Sequence, residues 1–255
     1  MLTTIRYVLL TALRDWLFLG ILLALFAAGF VSHFMGSTVL VESNEISSSF
    51  TAGSSRLVLV IGMIVFVCFH VRRAFENKEI DLMLSRPISR VEFVISYWLG
   101  FAVVATIVLG AIGLFIIILY GYNYTGLSFW ILTMWLEILI VLAFAVFSSI
   151  ILKSSVSAVL LCFGFYSISR MIGFFSYVLE KNQSGEMLSF DFISQKIIWV
   201  ASFLLPRLDI FCQSKWLIYG VDFTTTAWYM PVLQAAIYIP LLITIAAIDF
   251  KKKQF

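Results

Sequence analysis

The chain predicts an all-α polytopic membrane protein with six transmembrane helices, and three observations carry that class. Hydrophobic residues make up 62% of the 255 and charged residues only 12%, where soluble domains carry roughly 25% charged. Charge-free apolar stretches repeatedly reach the length that reads as a span, about 18 residues or more. Lys and Arg gather in the flanks of alternate stretches, as at Arg72-Arg73, Arg86, Arg90, Lys153 and Lys251 to Lys253. Mean hydropathy is +1.05. The formal net charge of +3 comes from residues that flank spans and form no patch, so nucleic acid is not an expected partner. Cys68, Cys162 and Cys212 are scattered, and two lie in apolar runs, which argues against a disulfide framework. The first apolar run is long enough to span and lacks a small-residue cleavage site, so no cleavable signal peptide is expected.

The first 14 residues carry Ile5, Val8, Leu9, Leu10 and Leu13 beside Arg6 and Arg14. They read as a helix lying in the interface or, on the simpler reading, as the front of the first span. Span 1 is expected at 16–35. The Ser-rich stretch 37–55, with Glu42 and Glu45, reads as an external loop. Span 2 is expected at about 57–71, with its start a little earlier, within the Ser/Thr/Gly stretch. From Glu92 to Glu137 about 44 residues pass without a charge, too many for one span of about 20. Gly121 to Gly126 supplies the break. This gives span 3 at 93–120 and span 4 at 128–152. A tight turn at Lys153 leads to span 5 at 156–179. The segment 180–223 is too interrupted to cross and reads as outer interfacial helices. Span 6 follows at 226–248, with a kink expected at Pro240. Trp16, Trp98, Trp130, Trp199 and Trp228 read mostly as interface markers, and His33 and His70 as residues of span ends. The positive flanks place both termini and loop 72–92 in the cytoplasm.

Loop 72–92 holds the densest charge in the chain. Phe75, Ile80, Leu82, Met83 and Leu84 spread over one half of a helical wheel, with Asn77, Lys78 and Asp81 opposite. Glu76 and Glu79 interrupt the apolar half. A short amphipathic helix over 75–84 is expected, with a solvated charged loop as the plainer alternative. Pro87 disfavours helix at Arg86 and should end it. Ser89 and Glu92 have capping-box spacing, with Ile88 and Phe93 at the staple positions, so a new helix should start there.

Two charges fall inside spans, where they are costly: Glu137 and Arg170. At about 1.5 Å per residue each lies about 14 Å from the outer end of its span, so the antiparallel pair should sit at one depth. The pair reads as a static ion pair setting helix register or as a polar lining of a substrate path; in a third reading Arg170 snorkels outward and Glu137 is protonated or bonded elsewhere. The chain has no G-x-x-x-x-G-K-[ST], no H-E-x-x-H, no G-x-S-x-G and no Cys/His metal spacing. A membrane enzyme is therefore disfavoured, and neither cofactor nor metal is expected in this chain.

Arg72-Arg73 through Glu79, then Leu82-Met83-Leu84-Ser85-Arg86-Pro87-Ile88-Ser89-Arg90 and Phe93, resemble the first cytoplasmic loop of ABC-2 type transporter permeases, where an acidic helix precedes "LLLSRPISR". Phe147-Ser148-Ser149-Ile150, Leu205-Pro206-Arg207-Leu208-Asp209 and the tail Asp249 to Phe255 are similar to that family too. The likeness covers nearly the whole chain; the loop motif is fairly specific and the others are weak alone. The chain departs from the large drug-exporter subtype in lacking a big extracellular domain. The resemblance implies an exporter half in the bacterial inner membrane that pairs with a second permease subunit, identical or not. It implies two copies of a separate ATPase, which would bind ATP and Mg. The coupling helix would be 75–84, with Phe75, Glu76, Glu79, Ile80, Leu82, Met83, Leu84, Arg86 and Pro87 at the docking site. The rival reading is a secondary transporter or channel using Glu137 and Arg170, against which stands the lack of an internal repeat.

Overall fold

The computed structural model describes residues 2–38, 43–80, 89–120, 124–181, 205–221 and 227–252. Among them the structure is helical: α1 (Leu2–Leu13), α2 (Trp16–Ser37), α3 (Ser43–Glu76), α4 (Arg90–Tyr120), α5 (Tyr124–Ile151), α6 (Ser155–Lys181), a 3-10 turn (Leu208–Ile210), α7 (Lys215–Tyr219) and α8 (Tyr229–Lys252). Six of these, α2 to α6 and α8, are long and apolar enough to cross a membrane. The chain is thus a multi-pass membrane protein by length and composition.

The bundle is built around α5. This helix packs against α3, α4, α6, α7 and α8, and most of its apolar stretch is buried. Its small residues Ala143, Ala145, Ser148 and Ser149 are all buried. Small side chains let helix backbones approach where lipid provides no hydrophobic drive for association. By contrast α2 rests mainly on α3, and Leu19, Leu23, Phe26 and Phe30 point away from the protein. At one end of the bundle, here the basic end, Arg90 donates to the carbonyls of Phe250 and Lys251 at 3.1 and 3.0 Å. That bond holds the start of α4 against the finish of α8. At the same end Arg73 pairs with Asp15 at 3.1 Å, joining α3 to the bend between α1 and α2.

Several elements differ from the sequence reading. The stretch expected as an external loop is helical from Ser43 onward. Its hydroxyls fold back on the preceding turn, Thr51 Oγ1 to the Ser47 carbonyl at 2.8 Å and Ser54 Oγ to the Phe50 carbonyl at 2.7 Å. With their hydroxyls satisfied in this way, Ser and Thr can enter a buried helix face. Ser54 also meets Ser32 Oγ across the interface with α2 at 3.1 Å. The amphipathic segment α1 is a separate helix, ended by turn bonds at Arg14 and Asp15. Trp130 and His70 are buried and do not mark an interface. His70 lies among Phe66, Tyr97 and Phe101. Trp199 is outside the described residues.

The described part of the segment expected on the outer side, 205–221, packs into the bundle along much of its length, with Lys215 and Tyr219 exposed. Leu208, Phe211, Cys212, Trp216 and Leu217 are buried, and the segment packs against α3, α5 and α6. Gly126 admits it: a Cβ there would run into the Trp216 carbonyl. Gly126, expected as a turn residue, thus serves a close backbone approach.

Candidate functional site

Two polar regions stand out, one at the basic end and one inside the bundle. At the basic end α3 runs through Phe75 and Glu76, which therefore belong to the span helix. It breaks at Asn77 and Lys78, where Lys78 has φ 56°. The continuous helix expected over 75–84 is interrupted there, because a left-handed residue cannot continue a right-handed helix. Phe75 meets Phe250 edge-on at 6.4 Å, and Ile80 joins the buried core. Both were expected to face a partner, and both turn inward. The exposed side chains at this point are Glu76, Asn77 and Lys78. Glu76 accepts a 2.8 Å bond from Arg72. Glu79 accepts from the Tyr7 hydroxyl and from Asn77 Nδ2, the latter at 3.2 Å. Burial first, then the hydrogen bond and charge of Glu79, push the Tyr7 phenol up to about 12, so it stays a donor. Leu82, Met83, Leu84, Arg86 and Pro87 lie outside the described residues.

The chain resumes at Ser89, whose hydroxyl accepts from the Glu92 N–H at 3.2 Å while its carbonyl accepts from the Phe93 N–H at 3.0 Å. This is the N-cap geometry of α4. Phe93 then stacks on Phe250 at 5.4 Å and meets Tyr97 in a tilted contact at 4.5 Å. Tyr97 meets Phe101 and Phe101 meets Phe66, both at 5.9 Å. An aromatic seam therefore links α3, α4 and α8, each such pair adding about 0.5–1.5 kcal/mol beyond its area.

Inside the bundle Glu137 is 1% exposed. Its Oε1 lies 3.9 Å from Arg170 Nη1 and accepts a 3.1 Å hydrogen bond from the Tyr166 hydroxyl. The pair foreseen from depth is therefore together, at the outer limit of an ion pair. Arg170 is committed elsewhere as well. It donates to the Leu208 carbonyl and, at 3.1 Å, to the Phe211 carbonyl. A third charge escaped the sequence reading. Arg56 of α3 lies within electrostatic reach of Glu137, beyond ion-pair distance, and donates to the Cys212 carbonyl at 3.4 Å. The sequence places it among the flanking charges on the side opposite the basic end, because the helix start within the Ser/Thr/Gly stretch is not sharply marked. The signal was in the spacing of Ser47, Thr51 and Ser54, which suits hydroxyls bonding back along a helix.

Together these contacts explain how the irregular backbone of 205–221 survives in a lipid-embedded bundle. Such backbone is tolerated at membrane depth only where its polar groups find partners in protein. Arg170 and Arg56 serve the carbonyls of Leu208, Phe211 and Cys212, while Thr133 Oγ1 accepts from the Cys212 N–H at 3.3 Å. Thr133 lies eight residues into the apolar stretch that starts at Thr125, which is about 12 Å along the helix. Cys212 itself takes φ 49°, a conformation uncommon for a side-chain-bearing residue. Gly173 leaves room for Asp209, whose carboxylate a Cβ would strike. Asp209 is held in turn by Arg207 at 3.1 Å.

No family model matches the chain, and no curated protein matches it. Among the described residues no group of three or more His, Cys, Asp or Glu is placed to hold a metal. The three cysteines are free and buried.

Proposed function

We propose that this chain is the membrane-spanning permease subunit of an ATP-binding cassette transporter of the ABC-2 type, working as an exporter. A separate ATPase would dock on the loop that follows α3, and a second permease subunit would complete the pathway. The reading rests on the resemblance of the 72–93 stretch to that family's coupling loop. The observation that carries it mechanically is the tie at Ser89–Phe93. Arg90 grips the last carbonyls of α8 while Phe93 stacks on Phe250. A push on the loop would reach α4 and α8 as one body and α3 through Phe75. In this reading the basic end faces the cytoplasm, and the outward charges Glu76 and Lys78 meet the ATPase while Phe75 and Ile80 anchor the loop.

Charge reversal at Glu76→Lys and Lys78→Glu, with Met83→Asp beside them, tests docking. The expected result is loss of ATPase co-purification with helical content and size-exclusion profile unchanged. Full retention of the ATPase in all three variants would refute the reading. One observation favours the rival of an ion-driven transporter or channel. Glu137 Oε2 is buried with no hydrogen-bond partner among the described residues. That reading requires gradient-driven flux in liposomes holding this chain alone, lost in Glu137→Gln.

A further inference from the structure

A groove of about 420 Å³ runs between α2 and α3 near the basic end, with Trp16, Gly20, Ala24, Ile61 and Val65 in its wholly apolar lining. Gly20 opens onto empty space, since a Cβ there would meet nothing within 4 Å. The mouth is basic. Arg14, two residues before Trp16, is exposed and has no ion-pair partner among the described residues. Arg72 lies on the groove's face of α3, seven residues after Val65, with its side chain 31% exposed. Two acids stand near the mouth and both are paired, Asp15 with Arg73 and Glu76 with Arg72 Nε. Trp16, at 86% exposed, stands where an aromatic ring meets the headgroup layer. On α1 the inward face is Val8 and Ala12, while Arg6, Leu10, Leu13 and Arg14 point outward. That outward face pairs cations with leucines, as helices resting on an anionic lipid surface do.

We infer that this groove is a binding site for one anionic phospholipid. Its phosphate lies at Arg14 and Arg72, and one acyl chain lies along Gly20, Ala24, Ile61 and Val65. A basic mouth over an apolar cleft at the membrane surface is the chemistry that selects anionic headgroups. The occupant is a lipid because only the mouth is charged while the whole cleft behind it is apolar and open to the bilayer. The inference needs a bilayer around the bundle and nothing from the transporter reading.

Native mass spectrometry of the full chain in mild detergent, with phosphatidylglycerol or phosphatidylcholine of identical acyl chains added, tests it. The protein should retain one phosphatidylglycerol roughly tenfold to thirtyfold more tightly, the factor two surface arginines supply. The double variant Arg14→Gln, Arg72→Gln should lose that preference and still hold either lipid weakly. Gly20→Leu fills the groove and should lose both lipids. Gly110→Leu, at another glycine facing open space but away from the groove, should behave as the unmodified protein. Equal retention of the two lipids by the unmodified chain overturns the inference. So does phosphatidylglycerol binding that survives Gly20→Leu. A Gly20→Leu variant that splits a dimer while keeping its lipid overturns it too, and makes the groove an interface between copies.

Discussion

Replacing Arg170 by Ala should release the outer segment 205–221 from the bundle. The magnitude follows from what the guanidinium holds. It bonds the carbonyls of Leu208 and Phe211 and stands 3.9 Å from Glu137. A hydrogen bond to a charged group contributes about 1.5–3 kcal/mol, and breaking a buried pair costs about 3–5 kcal/mol. The terms overlap, because one side chain makes all three contacts, and Arg170 is a quarter exposed. The lower part of the range, about 3 kcal/mol, is therefore expected. The loss should fall on the carbonyl bonds more than on the long ion pair. Arg170→Ala with Glu137→Leu should then recover only part of it, by removing the stranded carboxylate. Cys212 reports the event directly, since it is 2% exposed and its carbonyl and N–H are both held. In a background with Cys68 and Cys162 changed to Ala, a membrane-permeant maleimide should label Cys212 slowly. With Arg170→Ala it should label at least tenfold faster, since each 1.4 kcal/mol of lost closure is a factor of ten in the open population. Unchanged labelling together with unchanged thermal stability in Arg170→Ala would refute this account of the segment.

Four further outcomes are expected. Gly126→Ala pushes a methyl into the Trp216 carbonyl and should cost about 1–3 kcal/mol in thermal unfolding; Gly110→Ala, in open space, should cost less. Ser89→Ala removes the cap on the Glu92 N–H and should lower stability by about 1 kcal/mol, with Ser89→Asp close to the unmodified protein. Arg90→Ala frees the α8 carbonyls; on the transporter proposal it should leave an ATPase bound while uncoupling its turnover from transport, read as ATP hydrolysed per substrate moved in vesicles. Tyr7 is held as a neutral phenol with its pKa raised to about 12. The stability this contributes is fully present below the ordinary tyrosine range near pH 10 and is lost as pH rises through about 12. Glu79→Gln removes the charge, weakens the hydrogen bond and leaves burial, so tyrosinate absorbance from Tyr7 should appear at lower pH than in the unmodified chain. The alkaline loss of stability should shrink with it.

The coarse architecture was legible because a bilayer acts on each stretch separately. Whether Trp16–Met35 or Thr125–Ile151 can cross depends on local apolarity and length, and those are readable residue by residue. The Ser89 cap was legible for the same reason, since donor and acceptor are three residues apart. The boundary of α3 was less so. Its first turns are polar, and only hydroxyls bonding back along the helix and packing against Ser32 make a membrane helix of them. Placing Arg56 depended on that boundary.

Composition and spacing alone determined that this is a helical, multi-pass chain, and they gave the expectation that Glu137 and Arg170 sit at one depth. Only the packed bundle decided that Arg56 joins them and that Phe75 and Ile80 face inward. It also decided that 205–221 folds into the bundle instead of lying across its end. The reason is physical: spanning and capping are settled by neighbours in sequence. The partners of a buried guanidinium are carbonyls 38 and more residues away, brought within reach only when helices have chosen their faces.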